Sequence, residues 1–239
     1  MREARIRQVI AAIGPLDEIA MQAARARQSR LTKPPGSLGR LEALSIQLAG
    51  ISGSALPSVA RKAVIVATAD HGVAADGVSA YPPAVTAQMA LNFVRGGAAI
   101  NVLARQAGAR VVVVDVGIAA DLHAAPGLIH RKLAHGTQNI SYGPAMSPAQ
   151  AIAAIEVGLD VFQAEHAAGL DLVATGDMGI GNTTASAAIV AVLTGRSVAQ
   201  VTGAWDGRGR CRAGAQGGGH RAGCEREPPQ RGRCARRAC

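Results

Sequence analysis

Three short apolar runs, each closing on a glycine, constrain this chain more than any other feature. They are KAVIVATADHG from Lys62, ARVVVVDVG from Ala109 and LDLVATGDMG from Leu170. They are rich in valine and show no strict apolar–polar alternation, so they read as strands buried on both faces, the pattern of a parallel sheet. Parallel neighbours need long crossovers. The intervening stretches at 84–107 and 147–169 are long enough for crossover helices, which makes the body an α/β layered domain in which ligands lie at the carboxyl ends of the strands.

The first 55 residues read differently. Asp17 to Arg30 carries Ile19, Met21, Ala23 and Ala24 at helical spacing, and Ser37 to Ile51 carries Leu38, Leu41, Leu44 and Leu48 on one stripe. Pro34-Pro35-Gly36 forces a turn between the two, and Ser37 is the expected N-cap of the second helix. Arg25, Arg27 and Arg30 read as a solvated face. The expected organisation is helices over 1–55, an α/β phosphate-binding domain over 56–203, and an unstructured tail over 204–239.

The tail is set apart by composition. Half the chain's 239 residues (49%) are hydrophobic, which excludes disorder of the whole. Yet Ala204 to Cys239 holds no Ile, Leu, Val, Met or Phe, and it carries eight Gly, nine Arg and all four cysteines, Cys211, Cys224, Cys234 and Cys239. It also holds most of the +9 formal charge. A segment of that kind cannot bury a core. Two readings fit it: a GC-rich coding region read out of frame, or an Arg/Gly-rich segment that contacts single strands by charge, although Trp205 is its only aromatic residue. Its cysteine spacing matches neither paired zinc ligands nor a compact disulfide framework. No window is apolar enough to span a membrane, and the N-terminus reads as that of a cytoplasmic protein.

Chemistry concentrates in TGDMGIGNTTAS, Thr175 to Ser186, which follows the third run and opens an apolar helix expected over Ala185 to Leu193. Glycines there let a ligand approach the backbone, and the free N–H groups of a first helical turn favour an anion. Asn182, Thr183 and Thr184 could cap that turn or contact phosphate oxygens. The outline G-x-x-x-x-G-x-T places Asn182 where a triphosphate loop needs Lys, and Thr184 stands where a dinucleotide fingerprint needs a third glycine. A single phosphate fits better; the bland alternative is a glycine-rich turn with no ligand. ADHGV, Ala69 to Val73, offers Asp70 and His71 at a strand end, where one histidine without a second ligand argues against metal and for hydrogen bonds that hold loops. Gln88 could present an amide to a heterocycle. His130 and His135 read as surface residues, and His123 and His166 are isolated. His220 beside the four cysteines has no fold around it to make a metal site.

LTKPPGSLGRLE (31–42), ADHGV (69–73), YPPAVTAQM (81–89), NFVRGGAAINVLARQAGARVVVVDVGI (92–118) and GDMGIGNTT (176–184) resemble, in this order, the nicotinate-nucleotide–dimethylbenzimidazole phosphoribosyltransferase family. The resemblance runs from about residue 17 to 203. It implies an enzyme of cobalamin lower-ligand assembly that moves phosphoribosyl from nicotinate mononucleotide to 5,6-dimethylbenzimidazole. It further implies a homodimer with a Rossmann-like large domain and a small helical domain containing the N-terminal helices, using no metal and no organic cofactor. On that reading Gly179, Gly181, Asn182, Thr183 and Thr184 face the phosphate, and Gln88 with the Tyr81 loop lines the acceptor pocket. Gly176 and Asp177 complete the substrate-binding set.

The family carries Glu where Asp177 stands, one methylene longer, which leaves Asp177 as the one catalytic candidate. Its general base is a glutamate in a late RLGEG-like motif, and this chain has no such motif; Glu225 and Glu227 lie in a context that matches nothing. The expectation is therefore a truncated transferase with half a site. The competing expectation is a non-catalytic nucleotide- or nucleic-acid-binding protein with a basic tail.

Overall fold

In a computed structural model of the chain, which describes residues 2–122 and 125–203, the sequence forms one parallel sheet flanked by helices. The expected tail with its four cysteines, His220, Glu225 and Glu227, and also His123, lie outside the described residues.

The strands are β1 (Lys62–Ala69), β2 (Ala109–Gly117), β3 (Leu128–His130) and β4 (Leu172–Met178), in the spatial order β3-β2-β1-β4, all parallel. The three apolar runs became strands, but β1 and β4 stop at Ala69 and Met178, leaving Asp70, His71 and Gly179 in the loops beyond. Sequence reading missed β3, because three residues are too few to display a period.

Helices α4 (Val85–Val94) and α5 (Ala99–Ala107) cross from β1 to β2, and α6 (Pro148–Ala167) crosses from β3 to β4. Ser147 caps α6 by accepting from the Gln150 amide at 3.2 Å, while the Gln150 side chain accepts from the Ser147 amide at 2.9 Å, with Pro148 in the first turn. Successive residues of β2 point to opposite faces. Val113 packs with Val66, Phe93, Ala98 and Leu128 under α4 and α5, whereas Val114 packs with Val157 and Val161 under α6. Each fully buried valine contributes about 1.5–3 kcal/mol relative to exposure, so this two-sided burial holds the centre of the sheet.

Burial ends at β4. No residue of β4 or of the following helix α7 (Asn182–Thr194) is fully buried, and Ile189, Val192 and Leu193 are 58%, 84% and 79% exposed. The structure starts α7 three residues before the helix read from sequence, because Gly181, at φ 91°, ends the turn there.

The N-terminal part forms α1 (Arg2–Ala11), α2 (Glu18–Arg30) and α3 (Arg40–Ser52). Asp17 caps α2, its Oδ1 accepting from the Ala20 amide at 2.9 Å. Ser37 is not a cap: residues 36–39 remain in the proline-induced turn, Ser37 donating its amide to the Pro34 carbonyl at 3.1 Å, and the helix starts after Gly39. The two helices meet through Ala20, Ala24 and Ala49 rather than through the leucine stripe, whose Leu38, Leu41 and Leu44 stay exposed. Gly50 allows that approach, since a Cβ there would lie 2.7 Å from the Met21 side chain. Arg25, Arg27 and Arg30 are all exposed. Arg5 ties α1 to α6 through Asp160 at 2.7 Å and Gln163 at 2.8 Å.

Candidate functional site

The chain builds β1, β2 and β3 outward in one direction, then returns to lay β4 on the other side of β1. That reversal makes the carboxyl ends of β1 and β4 the topological switch point, where open α/β sheets bind ligands. Thr68 and Met178 form the last strand pair. Beyond them ADH from one strand and GIG from the other emerge side by side.

Three segments close on this point. A Cβ on Gly179 would lie 2.0 Å from the Ala69 carbonyl oxygen and 2.8 and 2.9 Å from Cδ2 and Nε2 of the His71 ring, so no side chain fits. Next, the Ile180 amide donates to the hydroxyl of Thr86, a fully buried residue in the first turn of α4, at 3.1 Å. Gly181 backs onto Val73 and Ala74, 3.3 and 3.5 Å from where its Cβ would be. The turn is thus wedged between the loop after β1 and the start of α4.

The site residues read from sequence separate accordingly. Gly176 and Asp177 lie inside β4, opposite Val66 and Ala67, and Asp177 is exposed. Gly179 and Gly181 form the turn. The N-cap of α7 is Gly181, so Asn182, Thr183 and Thr184 occupy its first turn and none of them caps it. Asn182 and Thr184 donate their amides to the carbonyls of Gly179 at 3.0 Å and Gly181 at 3.1 Å, and the Asn182 side chain reaches the Asp177 carbonyl at 3.5 Å. Tyr81 and Gln88 stand exposed on the segment that leads into α4 and on its first turn, two residues from the Thr86 anchor.

Asp70 holds loops as expected. Its Oδ2 accepts from the Ala119 amide at 2.7 Å, and its backbone joins Gly117 at 2.9 Å and Thr137 at 3.0 Å. His71 does not: its Nε2 is buried without a hydrogen-bond partner. Burial pushes this imidazole below the ordinary histidine range, while the negative charges of Asp177 and Asp70 pull the other way. The loop continues into a close seam with residues 137–142. The seam needs glycine at 72, where a Cβ would sit 2.6 Å from the Asn139 amide nitrogen, and Asp76 accepts from the Asn139 side chain at 2.9 Å. Hydrogen bonds from Asn139 and then Ser141 hold the Asp76 carboxyl below its usual range.

Two further residues shape the neighbouring strand end and were missed from sequence. Asp115 is fully buried, accepts from the Ile118 amide at 2.8 Å and meets Lys132 Nζ at 3.4 Å, while Lys132 donates to the Ala120 carbonyl at 2.7 Å. The available signal was a lone charge in the otherwise apolar VVVVDVG, since a carboxylate is seldom fully buried without partners. His135 Nδ1 lies 3.0 Å from the Ala119 carbonyl, His130 is half-buried in β3, and His166 stacks on Phe162.

Among the described residues no three His, Cys, Asp or Glu side chains gather to hold a metal ion, and no helix is long and apolar enough to cross a membrane. A cavity of about 300 Å³ lies elsewhere, under α5 beside the start of β2, lined by Phe93, Asn101, Arg105 and Val111. Arg105 there donates to the Gly96 carbonyl at 3.1 Å and is occupied.

A parallel α/β sheet with a glycine turn wedged at its switch point defines a ligand-binding α/β protein. Comparison with known proteins carries this further. A family model described as phosphoribosyltransferase matches residues 13–216, starting four residues before the resemblance read from sequence and running beyond the described residues. Two relatives named nicotinate-nucleotide–dimethylbenzimidazole phosphoribosyltransferase are 62% identical over 196 residues, from Roseiflexus sp. strain RS-1, and 58% identical over 198 residues, from Desulforudis audaxviator. These alignments cover 82% and 83% of this chain and 56% of each relative. The crystal structure of CobT from Thermus thermophilus superposes with a TM-score of 0.75 at 50% identity, covering 77% of this chain and 55% of that one. The chain belongs to the nicotinate-nucleotide–dimethylbenzimidazole phosphoribosyltransferase family, and it spans about half the length of the relatives it matches.

Proposed function

We propose that this chain serves the transfer of phosphoribose from nicotinate mononucleotide to 5,6-dimethylbenzimidazole, giving α-ribazole 5′-phosphate and nicotinate. The observation that carries the reading is the wedge at the switch point: the Gly179–Gly181 turn, the start of α7 and the start of α4 meet there in a chain of this family.

In this reading the mononucleotide phosphate lies at the Gly179–Thr184 turn, where the start of α7 favours an anion and the Asn182, Thr183 and Thr184 side chains supply the donors, the Asn182 and Thr184 amides being engaged by the carbonyls of Gly179 and Gly181. Gln88 and the Tyr81 loop face the aromatic acceptor. Gly176 acts indirectly, as a close contact of β4 with β1, and Asp177 meets substrate at the rim. The donor's pyridinium ring leaves as neutral-ring nicotinate and needs little acid help, so binding and orientation dominate catalysis. Deprotonating the acceptor's second ring nitrogen calls for a base. The described glutamates, Glu3, Glu18, Glu42, Glu156 and Glu165, all sit on α1, α2, α3 and α6, and none is on β4, the glycine turn, α4 or α7.

The working form is a cytoplasmic homodimer, with the helices of residues 1–55 as part of a small domain beside the α/β domain of residues 56–203. The exposed Leu41, Ile51 and Leu193 support contacts beyond this chain. Calorimetry with nicotinate mononucleotide, followed by chromatography of mixtures containing dimethylbenzimidazole, tests the reading. The expected result is binding of the mononucleotide with slower nicotinate release than a full-length relative gives. Absence of both binding and release overturns it.

A further inference from the structure

We propose that His71 is a positioning residue: its imidazole edge, seated against the Cα of Gly179, sets the turn and Asp177 in the arrangement that takes up the nucleotide, and it does so only while neutral. The inference rests on the phosphate reading above and adds a residue to which that reading gives no role.

Geometry carries it. Because β1 and β4 are paired up to Thr68 and Met178, the residues after them leave the sheet together, and the His71 ring occupies the space a side chain at 179 would need. The surrounding loop is fixed on nearly every side. Asp70 is bonded to Gly117, Ala119 and Thr137, the His71 carbonyl accepts from Ala74 at 3.0 Å, and the Gly72 amide donates to the Thr137 hydroxyl at 3.2 Å. In this bonded frame the Nε2 of His71 is buried and has no hydrogen-bond partner, as is Oδ1 of the adjacent Asp70.

A neutral ring can present Nε2 as an unprotonated nitrogen against Gly179. Protonation puts an unpaired, charged N–H there instead, which costs far more in a buried place. Relief requires the turn to move, since the loop beneath it is held. Of the titratable groups on the elements that meet here, Asp177 on β4 and Asp70 favour the charged ring, burial opposes it, and Asp76 is engaged by Asn139. Movement of the turn displaces Gly181 and hence the start of α7.

The test uses the full chain, its His71→Gln and His71→Ala variants, and nicotinate mononucleotide as probe, with affinity measured at about pH 7.5 and about pH 5, either side of an ordinary histidine. Glutamine extends an uncharged amide to the reach of Nε2. The expectation is that His71→Gln keeps the neutral-pH affinity within about threefold, that His71→Ala loses about tenfold, and that wild type weakens at low pH by about tenfold more than His71→Gln. The residual slope of His71→Gln then belongs to the ligand's own phosphate. Equal slopes in wild type and His71→Gln, or full affinity in His71→Ala, overturn the proposal.

Backbone amide signals of Gly179 and Ile180 separate this idea from the phosphate reading. If wild type fails to bind the probe at any pH while those signals follow the His71 ring titration, positioning stands and the ligand assignment falls. If the signals ignore that titration, positioning falls.

Discussion

The buried hydroxyl of Thr86 accepts a hydrogen bond from the Ile180 amide at 3.1 Å, joining the first turn of α4 to the glycine turn 94 residues later in the chain. Thr86→Val keeps the shape and removes the acceptor, leaving a part-buried N–H without its partner. The expected cost is about 1–3 kcal/mol in urea unfolding, with faster hydrogen exchange at Ile180 and little change at Val113.

Gly179→Ala should be the most damaging single methyl in the site. The new carbon would sit 2.0 Å from the Ala69 carbonyl oxygen, a backbone atom inside a paired region that cannot swing away. Loss of cooperative melting, or a much lower Tm than wild type, is the expected readout. Gly143→Ala is the control: nothing lies within 4 Å of its Cβ position, and its effect should stay within about 0.5 kcal/mol.

Gly158 lies in the middle of α6, and its Cβ position is also open. Glycine in a helix interior is less favourable than alanine by about 0.5–1 kcal/mol, because it loses more freedom on folding. Gly158→Ala should therefore stabilise the chain by about that amount, read as a raised urea midpoint with an unchanged slope.

Arg61 and Asp171 join the amino ends of β1 and β4. The Arg61 amide donates to Asp171 Oδ2 at 2.8 Å and its guanidinium to Oδ1 at 2.6 Å, and the Asp171 amide returns a bond to the Arg61 carbonyl at 2.8 Å. The Arg61 side chain, then its backbone amide, hold the Asp171 carboxyl down to about 2. A carboxylate whose folded value lies below its unfolded one lends stability that is present above about pH 4 and is lost as the pH falls through the folded value. Melting of wild type and Asp171→Asn across this range should show a gap that is constant near neutrality and closes toward about pH 2. A gap independent of pH would mean that the charge contributes nothing.

Several parts of this molecule were legible in its residues. Valine-rich runs without alternation announce doubly buried parallel strands, because a strand covered on both faces needs apolar residues at every position. The stretch at 147–169 was long enough for a crossover helix, and α6 fills it. The glycine turn and its apolar helix could be read because glycine at a turn and the residues that follow it act within a few positions, and five ordered segments carried the family resemblance.

Other features needed the folded chain. The return of β4 to the side of β1, which creates the switch point, depends on how whole layers cover one another. The partners of Thr86 and His71 lie far along the sequence, so no local pattern encodes them. The leucine stripe marked a helix, yet its Leu38, Leu41 and Leu44 are exposed and only Leu48 is half-buried, since helical spacing defines a face without naming its neighbour. By itself the sequence determined the three long strands, the helical character of the stretches around them and the family, all of which rest on local preference and ordered motifs. Only the tertiary structure decided which loops meet at the strand ends, because contacts between distant residues are set by layer packing and not by any one segment.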